Sequence, residues 1–345
     1  MNISEYVSAY DPENQFQVLK DTYKQIEFAW KNEFNLDKLK DKKFNSIMIS
    51  GLGGSAIAGD LMLNFLKDEL KVPLLVNRNY SLPLFVNEST LVVVSSYSGN
   101  TEETISVLEQ AIKRNCSVVS ITTGGKIEEI SLKAGIPVVK TLPGFQPRYA
   151  LGVSFFSLLK VLQTLGFIED QTPVVTEIME NWKTQGVELS ADDNPAFKMA
   201  EEIDCSIPFI YSYADFNSAA GYRFKCQFNE NAKLHAFSNV IPELNHNEII
   251  GWELFDDEDH EYILINIVDK DYPEQIKKRF QITTELCEGS NISFIEIEGS
   301  LSSAKLRLME VVYFCDWVTY YSAILDELDP TEIDNINILK KRLAE

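Results

Sequence analysis

The residues best placed to do chemistry lie in Ser95-Ser96-Tyr97-Ser98-Gly99-Asn100-Thr101-Glu102-Glu103-Thr104. They follow Leu91-Val92-Val93-Val94, an apolar, β-branched run that reads as a buried parallel strand. A helical pattern comes next, Thr104 to Arg114, with Ile105, Leu108 and Ile112 on one face. At such a strand-to-helix turn the first backbone N–H groups of the helix lack partners, and the helix dipole favours an anion. The hydroxyls of Ser96, Ser98 and Thr101 add neutral donors. The spacing predicts a phosphate cradle with no lysine in it. A second loop, Gly51-Leu52-Gly53-Gly54-Ser55-Ala56, follows the short strand pattern Ser46–Ser50 and precedes a helix over Ile57–Leu66. It has neither the spacing of a dinucleotide fingerprint nor a Walker lysine. Alone it reads as a tight turn. Two such loops ending two strands match the way open α/β sheets hold ligands at the carboxyl ends of their strands.

Proton-transfer groups are fewer. Glu230 sits on the helical stretch Tyr222–Lys233, where a glutamate is most often a solvated surface charge. Sixteen residues on, His246 lies between Asn245 and Asn247, just before Ile249-Ile250. It is one of three histidines in the chain. A lone histidine is usually structural or exposed, yet this polar setting suits a site better than a core. Arg148 follows Pro143-Gly144-Phe145-Gln146-Pro147 at the head of an apolar helix. It is either one cation beside a site or an exposed arginine in a salt bridge. His235, His246 and His260 do not fall at metal-ligand spacing, and the cysteines form no CxxC pair, so no metal is expected. The chain also lacks a GxSxG elbow, which leaves a serine triad unsupported.

These groups need elements to hold them. Residues 1–42 read as a helical extension, with Phe16, Leu19, Tyr23, Ile26 and Trp30 on one face of a helix from Tyr10 to Trp30. Residues 43–170 alternate strand and helix. Strands are expected at Ser46–Ser50, Leu74–Asn77, Leu91–Ser95, Ser117–Thr122 and Pro137–Lys140, and a long apolar helix at Tyr149–Leu165. That order predicts a parallel sheet covered by helices on both faces. Residues 171–198 read as a polar helical linker ending at Asp192-Asp193-Asn194-Pro195. A second alternating unit, 199–328, has strands at Ile207–Tyr211, Glu261–Val268 and Ile292–Ile297. Its helices are expected at Ser218–Leu234, Pro273–Cys287 and Ser302–Leu325. It echoes the first unit but has Asp269-Lys270-Asp271 where the serine-rich loop would fall. Residues 329–345 close the chain with a helix begun by Asp329-Pro330.

Composition narrows the partners. The 345 residues are 45% hydrophobic, enough for two ordinary cores. A formal charge of −21 argues against nucleic acid, and any phosphate site must win by local dipoles and a few cations. The polar, acidic N-terminus has no leader pattern, and no apolar run approaches the ~20 residues that span a bilayer. A soluble, cytoplasmic protein with no membrane partner is expected. Five cysteines, an odd number with no close pair, point to reduced, buried thiols.

Together, Gly53-Gly54-Ser55, Ser96-Tyr97-Ser98-Gly99-Asn100-Thr101, Pro147-Arg148, Asn229-Glu230-Asn231-Ala232-Lys233 and Glu243-Leu244-Asn245-His246-Asn247 resemble the bifunctional phosphoglucose/phosphomannose isomerases. These belong to the sugar isomerase (SIS) domain superfamily. The resemblance runs from about residue 45 to the end, including Asp329-Pro330 and Ile338-Leu339-Lys340. It implies an α/β fold of two duplicated SIS-type, doubly wound parallel-sheet domains. It also implies an aldose–ketose isomerase acting on glucose 6-phosphate, mannose 6-phosphate and fructose 6-phosphate, with neither metal nor organic cofactor. In it Glu230 is the base, Arg148 stabilises the enediolate, His246 opens the ring and Lys340 assists. Gly54, Ser55, Ser96, Ser98 and Thr101 hold the 6-phosphate, and Thr331 lines the region around C2. A homodimer is implied, with His246 supplied by the partner chain. Two rivals stand beside this reading. A glucosamine-6-phosphate synthase would need an N-terminal glutaminase cysteine, and residue 2 is Asn2. A non-catalytic SIS sugar-phosphate regulator would keep the cradle and usually carry a DNA-binding helix-turn-helix.

Overall fold

In the computed structural model the described residues are 2–204, 206–253, 260–288 and 292–343. Cys205, among the thiols considered above, lies outside them. The chain divides into two compact units. One comprises 21–180, and the other 1–20 together with 181–345.

The N-terminal region is four short helices: α1 (Ile3–Tyr10), α2 (Gln15–Lys20), α3 (Thr22–Lys31) and α4 (Asp37–Lys40). The single helix expected from Tyr10 to Trp30 is therefore broken. Asp11 breaks it. Its carboxylate accepts from Gln15 N and Phe16 N, both at 2.8 Å, and Asn14 turns the chain at φ +56°. A side chain satisfying the free N–H groups of a new helix start competes directly with continuing the old one.

The unit 21–180 is built on β1 (Ser46–Ser50), α5 (Gly54–Phe65), β2 (Leu74–Asn77), β3 (Thr90–Ser95), α6 (Glu102–Lys113), β4 (Ser117–Thr122), α7 (Gly125–Lys133) and β5 (Val138–Lys140). All pairs are parallel, in the order β2-β1-β3-β4-β5. Every residue of β1, β3 and β4 is buried, as expected for strands covered on both faces. One cover is α8 (Leu151–Thr164), whose Val153, Phe155, Phe156, Leu159 and Leu162 are fully enclosed. Each such side chain contributes roughly 1.5–3 kcal/mol of transfer free energy. After β1 the chain winds to one side of the sheet, and after β3 to the other. The loops following β1 and β3 therefore diverge at the carboxyl ends, leaving a crevice. The loop sequences singled out above are these two.

The helix α9 (Thr172–Glu188) carries the boundary between the units. Next come α10 (Pro195–Ile203), β6 (Ser206–Tyr213), α11 (Ser218–Asn231), β7 (Phe237–Ile241), β8 (Glu261–Val268), α12 (Glu274–Cys287), β9 (Ser293–Glu298), α13 (Ala304–Leu325) and α14 (Asp334–Leu343). The sheet is again parallel, ordered β7-β6-β8-β9. The Asp192–Pro195 stretch is more than a linker. Asn194 caps α10 by accepting from Ala196 N at 3.0 Å and Phe197 N at 2.9 Å, with Pro195 at the first helical position. α13 is buried all round, with Trp317, Tyr313, Tyr320 and Tyr321 fully enclosed. Arg307 on α13 bonds Asp269 through Nε (2.7 Å) and through NH2 (2.9 Å), and reaches Asp271 at 2.5 Å. Arg307 and Asp269 are almost wholly buried. Asp269 and Asp271 follow β8, the counterpart in this sheet of β3 in the other. The C-terminal helix starts later than Asp329-Pro330 suggests. Asp329 Oδ1 accepts from Thr331 N at 2.7 Å and Thr331 Oγ1 at 2.5 Å, closing a turn instead.

Candidate active site

In the unit 21–180 the two loops are stitched together. Ser55, buried in the first turn of α5, accepts from Tyr97 N at 3.3 Å. Ser96, also buried, is hydrogen-bonded to the Thr101 hydroxyl at 3.0 Å and accepts from Gly99 N at 3.2 Å. Its hydroxyl thus holds the turn in shape. Ser98 is exposed and accepts from Asn100 N at 3.3 Å. The N-caps of α5 and α6, Gly53 and Thr101, make no side-chain cap bond, so neither helix start is closed by its own side chain. The arrangement offers hydroxyls and helix-terminal amides at one crevice, which is what an oxyanion requires.

Glycine is required where backbones meet. A Cβ at Gly51 would lie 2.7 Å from Ser95 O, and one at Gly54 only 2.5 Å from Pro147 O. The second contact brings the Pro147–Ala150 3-10 turn against the start of α5. Arg148 is 3% exposed, so it is not the solvated surface arginine that residue type allowed. Its guanidinium carbon lies 5.3 Å from the centre of the Tyr149 ring, a cation–π distance. Thus Gly54, Ser55, Ser96, Ser98, Thr101 and Arg148 all belong to the loops and turn of this one crevice.

The other unit holds Glu230, His246 and Lys340. Glu230 is half-buried on the last turn of α11. The adjacent Asn231 donates to Thr319 Oγ1 at 3.0 Å, and Lys233 Nζ donates to Asp329 O. The turn holding buried Thr331, which leads into α14, therefore lies at the Glu230 end of α11. Lys340 is exposed on α14, a helix with no buried residue. Higher up the same face of α11, Arg223 makes a two-pronged pair with Asp316 at 2.9 and 2.8 Å. Burial pushes the Asp316 carboxyl upward, and Arg223 opposes it.

His246 sits elsewhere. α11 runs back from the carboxyl end of β6 to the amino end of β7, and β7 then spans about 16 Å. His246 follows the carboxyl end of β7, exposed at the end of the 3-10 turn Glu243–His246. Within one chain Glu230 and His246 are thus at opposite ends of this sheet.

Comparison with known proteins agrees on the family. A family model described as the bacterial phospho-glucose isomerase C-terminal SIS domain matches residues 192–343. The bifunctional phosphoglucose/phosphomannose isomerase of Caldicellulosiruptor bescii is 36% identical over 341 residues, 96% of this chain and 99% of that protein. The chain belongs to the bifunctional phosphoglucose/phosphomannose isomerase family. The enzyme of that name from Aquifex aeolicus is 33% identical over 94% of this chain and 99% of its own length. Among solved structures, the C-terminal domain of glucosamine-fructose-6-phosphate aminotransferase from Francisella tularensis superposes with a TM-score of 0.68. It is 16% identical, covering 92% of this chain and 97% of that one, and shows the α/β fold with parallel sheets.

Against that family setting, the sequence reading passed over residues that shape the crevice. Tyr97 donates from its hydroxyl to Leu142 O at 2.9 Å and accepts from Phe145 N at 3.0 Å, tying the serine loop to the segment leading to Arg148. Burial pushes its phenol pKa up, so it remains a donor. The turn after β4 also braces the loop. Thr123 bonds Tyr97 O through N (3.1 Å) and Oγ1 (2.7 Å). Ile127 N reaches Gly99 O at 3.0 Å. A Cβ at Gly99 would meet Gly124 O at 1.8 Å, and its φ of +70° also favours glycine. The signal was present in Thr122-Thr123-Gly124-Gly125, a small polar turn after a buried strand. No three His, Cys, Asp or Glu side chains among the described residues gather as a metal site. Among the described residues, no helix is long and apolar enough to cross a membrane.

Proposed function

We propose that this protein interconverts glucose 6-phosphate and mannose 6-phosphate with fructose 6-phosphate through a cis-enediol. The observation that carries the proposal is the crevice after β1 and β3, with its hydroxyls and helix-terminal amides and with buried Arg148 packed against it, in a chain of this family. Ser98 and Thr101, with the amides that open α5 and α6, hold the 6-phosphate. Ser55 and Ser96 fix the loops, and Gly54 admits the close backbone approach. A chain of charge −21 repels phosphates at long range, so these short-range dipoles must supply the affinity.

The chemistry is a proton shuttle. The C2–H of the open aldose is weakly acidic and needs a positioned base. The Glu230 carboxylate takes that proton and returns it to C1, while a hydroxyl proton passes between O2 and O1. Negative charge develops on the enediolate, and Arg148 stabilises it. The substrate arrives as a ring, which His246 opens at O5 with Lys340 assisting. Thr331 lines the region around C2. The two parallel sheets are read as a duplication of one SIS-type domain, the second without a phosphate cradle.

The placement of Glu230 and His246 at opposite ends of one sheet supports a homodimer in which each chain lends His246 to its partner. The test is a coupled assay of purified protein in EDTA with each hexose 6-phosphate, alongside Glu230→Gln. Turnover should persist in EDTA and fall by about 10² or more in the variant, whose amide cannot take the C2 proton. Wild-type turnover in a natively folded Glu230→Gln protein would refute the assigned mechanism.

A further inference from the structure

The segment that presents His246 is held by more than its apolar contacts. Leu244 and Trp252 anchor its ends in a buried cluster with Tyr211, Ile241, Phe280 and Cys287. Between these anchors the backbone is a pair of 3-10 turns, Glu243–His246 and Glu248–Trp252, too short to fix its own orientation. Polar side chains complete the hold. Glu248 Oε1 accepts from Tyr211 Oη at 2.6 Å, and Glu248 Oε2 from Asn239 Nδ2 at 2.5 Å. Trp252 Nε1 donates to the same Tyr211 oxygen at 2.9 Å. Tyr211 is fully buried on β6, an interior strand, and Asn239 is on β7.

The other flank is held as well. Asn245 donates to Thr283 Oγ1 at 2.8 Å and accepts from Arg279 NH1 at 3.1 Å, both on α12. Asn247 accepts from Glu248 N at 2.7 Å and donates to Glu243 Oε1 at 3.0 Å. Every polar side chain from Glu243 to Glu248 is therefore engaged except His246. That ring is exposed and makes no hydrogen bond to any described residue. Burial first, and then the Glu248 carboxylate, push the Tyr211 phenol far above its ordinary range. It therefore stays protonated and keeps donating wherever the protein is folded.

We propose that Tyr211 and Glu248 are positioning residues for His246: a phenol–carboxylate strut, rooted in the sheet, that aims an otherwise unsupported imidazole. The strut is charge-assisted, and such bonds are shorter and stronger than neutral ones. It acts two residues from the histidine, where a small displacement of backbone becomes a displacement of the ring. The proposal rests on the ring-opening role given to His246 above.

The test is a set of double-mutant cycles. Glu248→Gln keeps the shape but sets an amide N–H against the Asn239 donor. Tyr211→Phe removes the strut and the phenol oxygen that accepts from Trp252 Nε1. Each single variant, His246→Ala, and each double variant with His246→Ala are assayed for kcat and KM on glucose 6-phosphate, with melting by circular dichroism. A misplacement near 1 Å costs up to ~10²-fold, so each single strut variant should lose about tenfold to a hundredfold in kcat. KM should stay within about twofold. In the His246→Ala background, where residual turnover is fed by spontaneous ring opening, the strut variants should cause no further loss. A purely structural role would cost activity in both backgrounds, and equal losses there would overturn the proposal. So would wild-type kcat in folded Glu248→Gln. Wild-type kcat in His246→Ala would instead remove the ring-opening role, and this proposal with it.

Discussion

Gly54→Ala is the sharpest probe of the crevice. The added methyl would lie 2.5 Å from Pro147 O, 3.0 Å from Pro147 C and 3.4 Å from Arg148 N. All three are backbone atoms, so no side-chain rotation relieves the contact. Ordinary contact begins near 3.4 Å, so the start of α5 and the Arg148 turn must separate by about 0.9 Å. Overpacking of this kind costs roughly 1–3 kcal/mol. At roughly 2–4 °C per kcal/mol for a unit of this size, melting should fall by a few degrees up to about 12 °C. The functional loss should be larger in proportion. A displacement near 1 Å of both a phosphate-binding helix start and the arginine assigned to the enediolate predicts up to ~10²-fold in kcat/KM. Gly53→Ala serves as the control. Its methyl meets nothing within 4 Å, but its φ of +51° imposes backbone strain. It should therefore lower stability by about 1–3 kcal/mol without forcing the loop and turn apart. The assay is coupled isomerisation with a melting curve for each variant. Equal kcat/KM for Gly54→Ala and wild type would refute the crevice as the phosphate site.

Ser98→Ala with Thr101→Ala should raise KM more than it lowers kcat, since each hydroxyl bond to an ionised group is worth roughly 1.5–3 kcal/mol. An unchanged KM would place the phosphate elsewhere. Hybrid dimers made from Glu230→Gln and His246→Ala chains should regain about half the wild-type activity per dimer, because one site then carries both lesions and the other neither. No recovery, with hybrids confirmed by native mass spectrometry, would mean both residues serve the same site from one chain. Partial desolvation, with Asp204 beside it, pushes the Asp326 carboxyl up to about 6, above its ordinary 3.8. The folded form therefore binds the proton more tightly, and stability falls as pH rises from about 4 to 6. Asp326→Asn should raise the melting temperature at pH 7.5 more than at pH 4.5, and a gain independent of pH would contradict that assignment.

The sequence is most legible where one force dominates. Ser46–Ser50 and Ser117–Thr122 of the first sheet match the sequence reading residue for residue, because burial on both faces concentrates apolar, β-branched residues there. The edge strand Leu74–Asn77 matches as well, carried by its own short apolar run. β7 was missed because Phe-Ser-Asn-Val-Ile is a partly exposed edge strand without a clear period. The helices α2 and α3 were merged because the apolar spacing Phe16, Leu19, Tyr23, Ile26 and Trp30 runs on across the break at Asp21. The serine loop and the glycine loop were readable from local chemistry. Arg148 was undecided because its turn packs against Gly54, nearly a hundred residues earlier in the chain. The strut behind His246 was invisible for the same reason, since Tyr211, Asn239 and Arg279 come together only in the fold.

The buried Arg307–Asp269 pair has a consequence for stoichiometry. In the sheet β7-β6-β8-β9 the loop after β8 occupies the switch-point position that the serine loop holds in the other sheet. There the carboxylate of Asp269, with Asp271 beside it, already neutralises the guanidinium. A tethered carboxylate competes at an effective concentration no dissolved sugar phosphate reaches in a cell. The guanidinium at this position is occupied by carboxylates of its own chain. Each chain should then titrate with a single equivalent of hexose phosphate along a simple hyperbola.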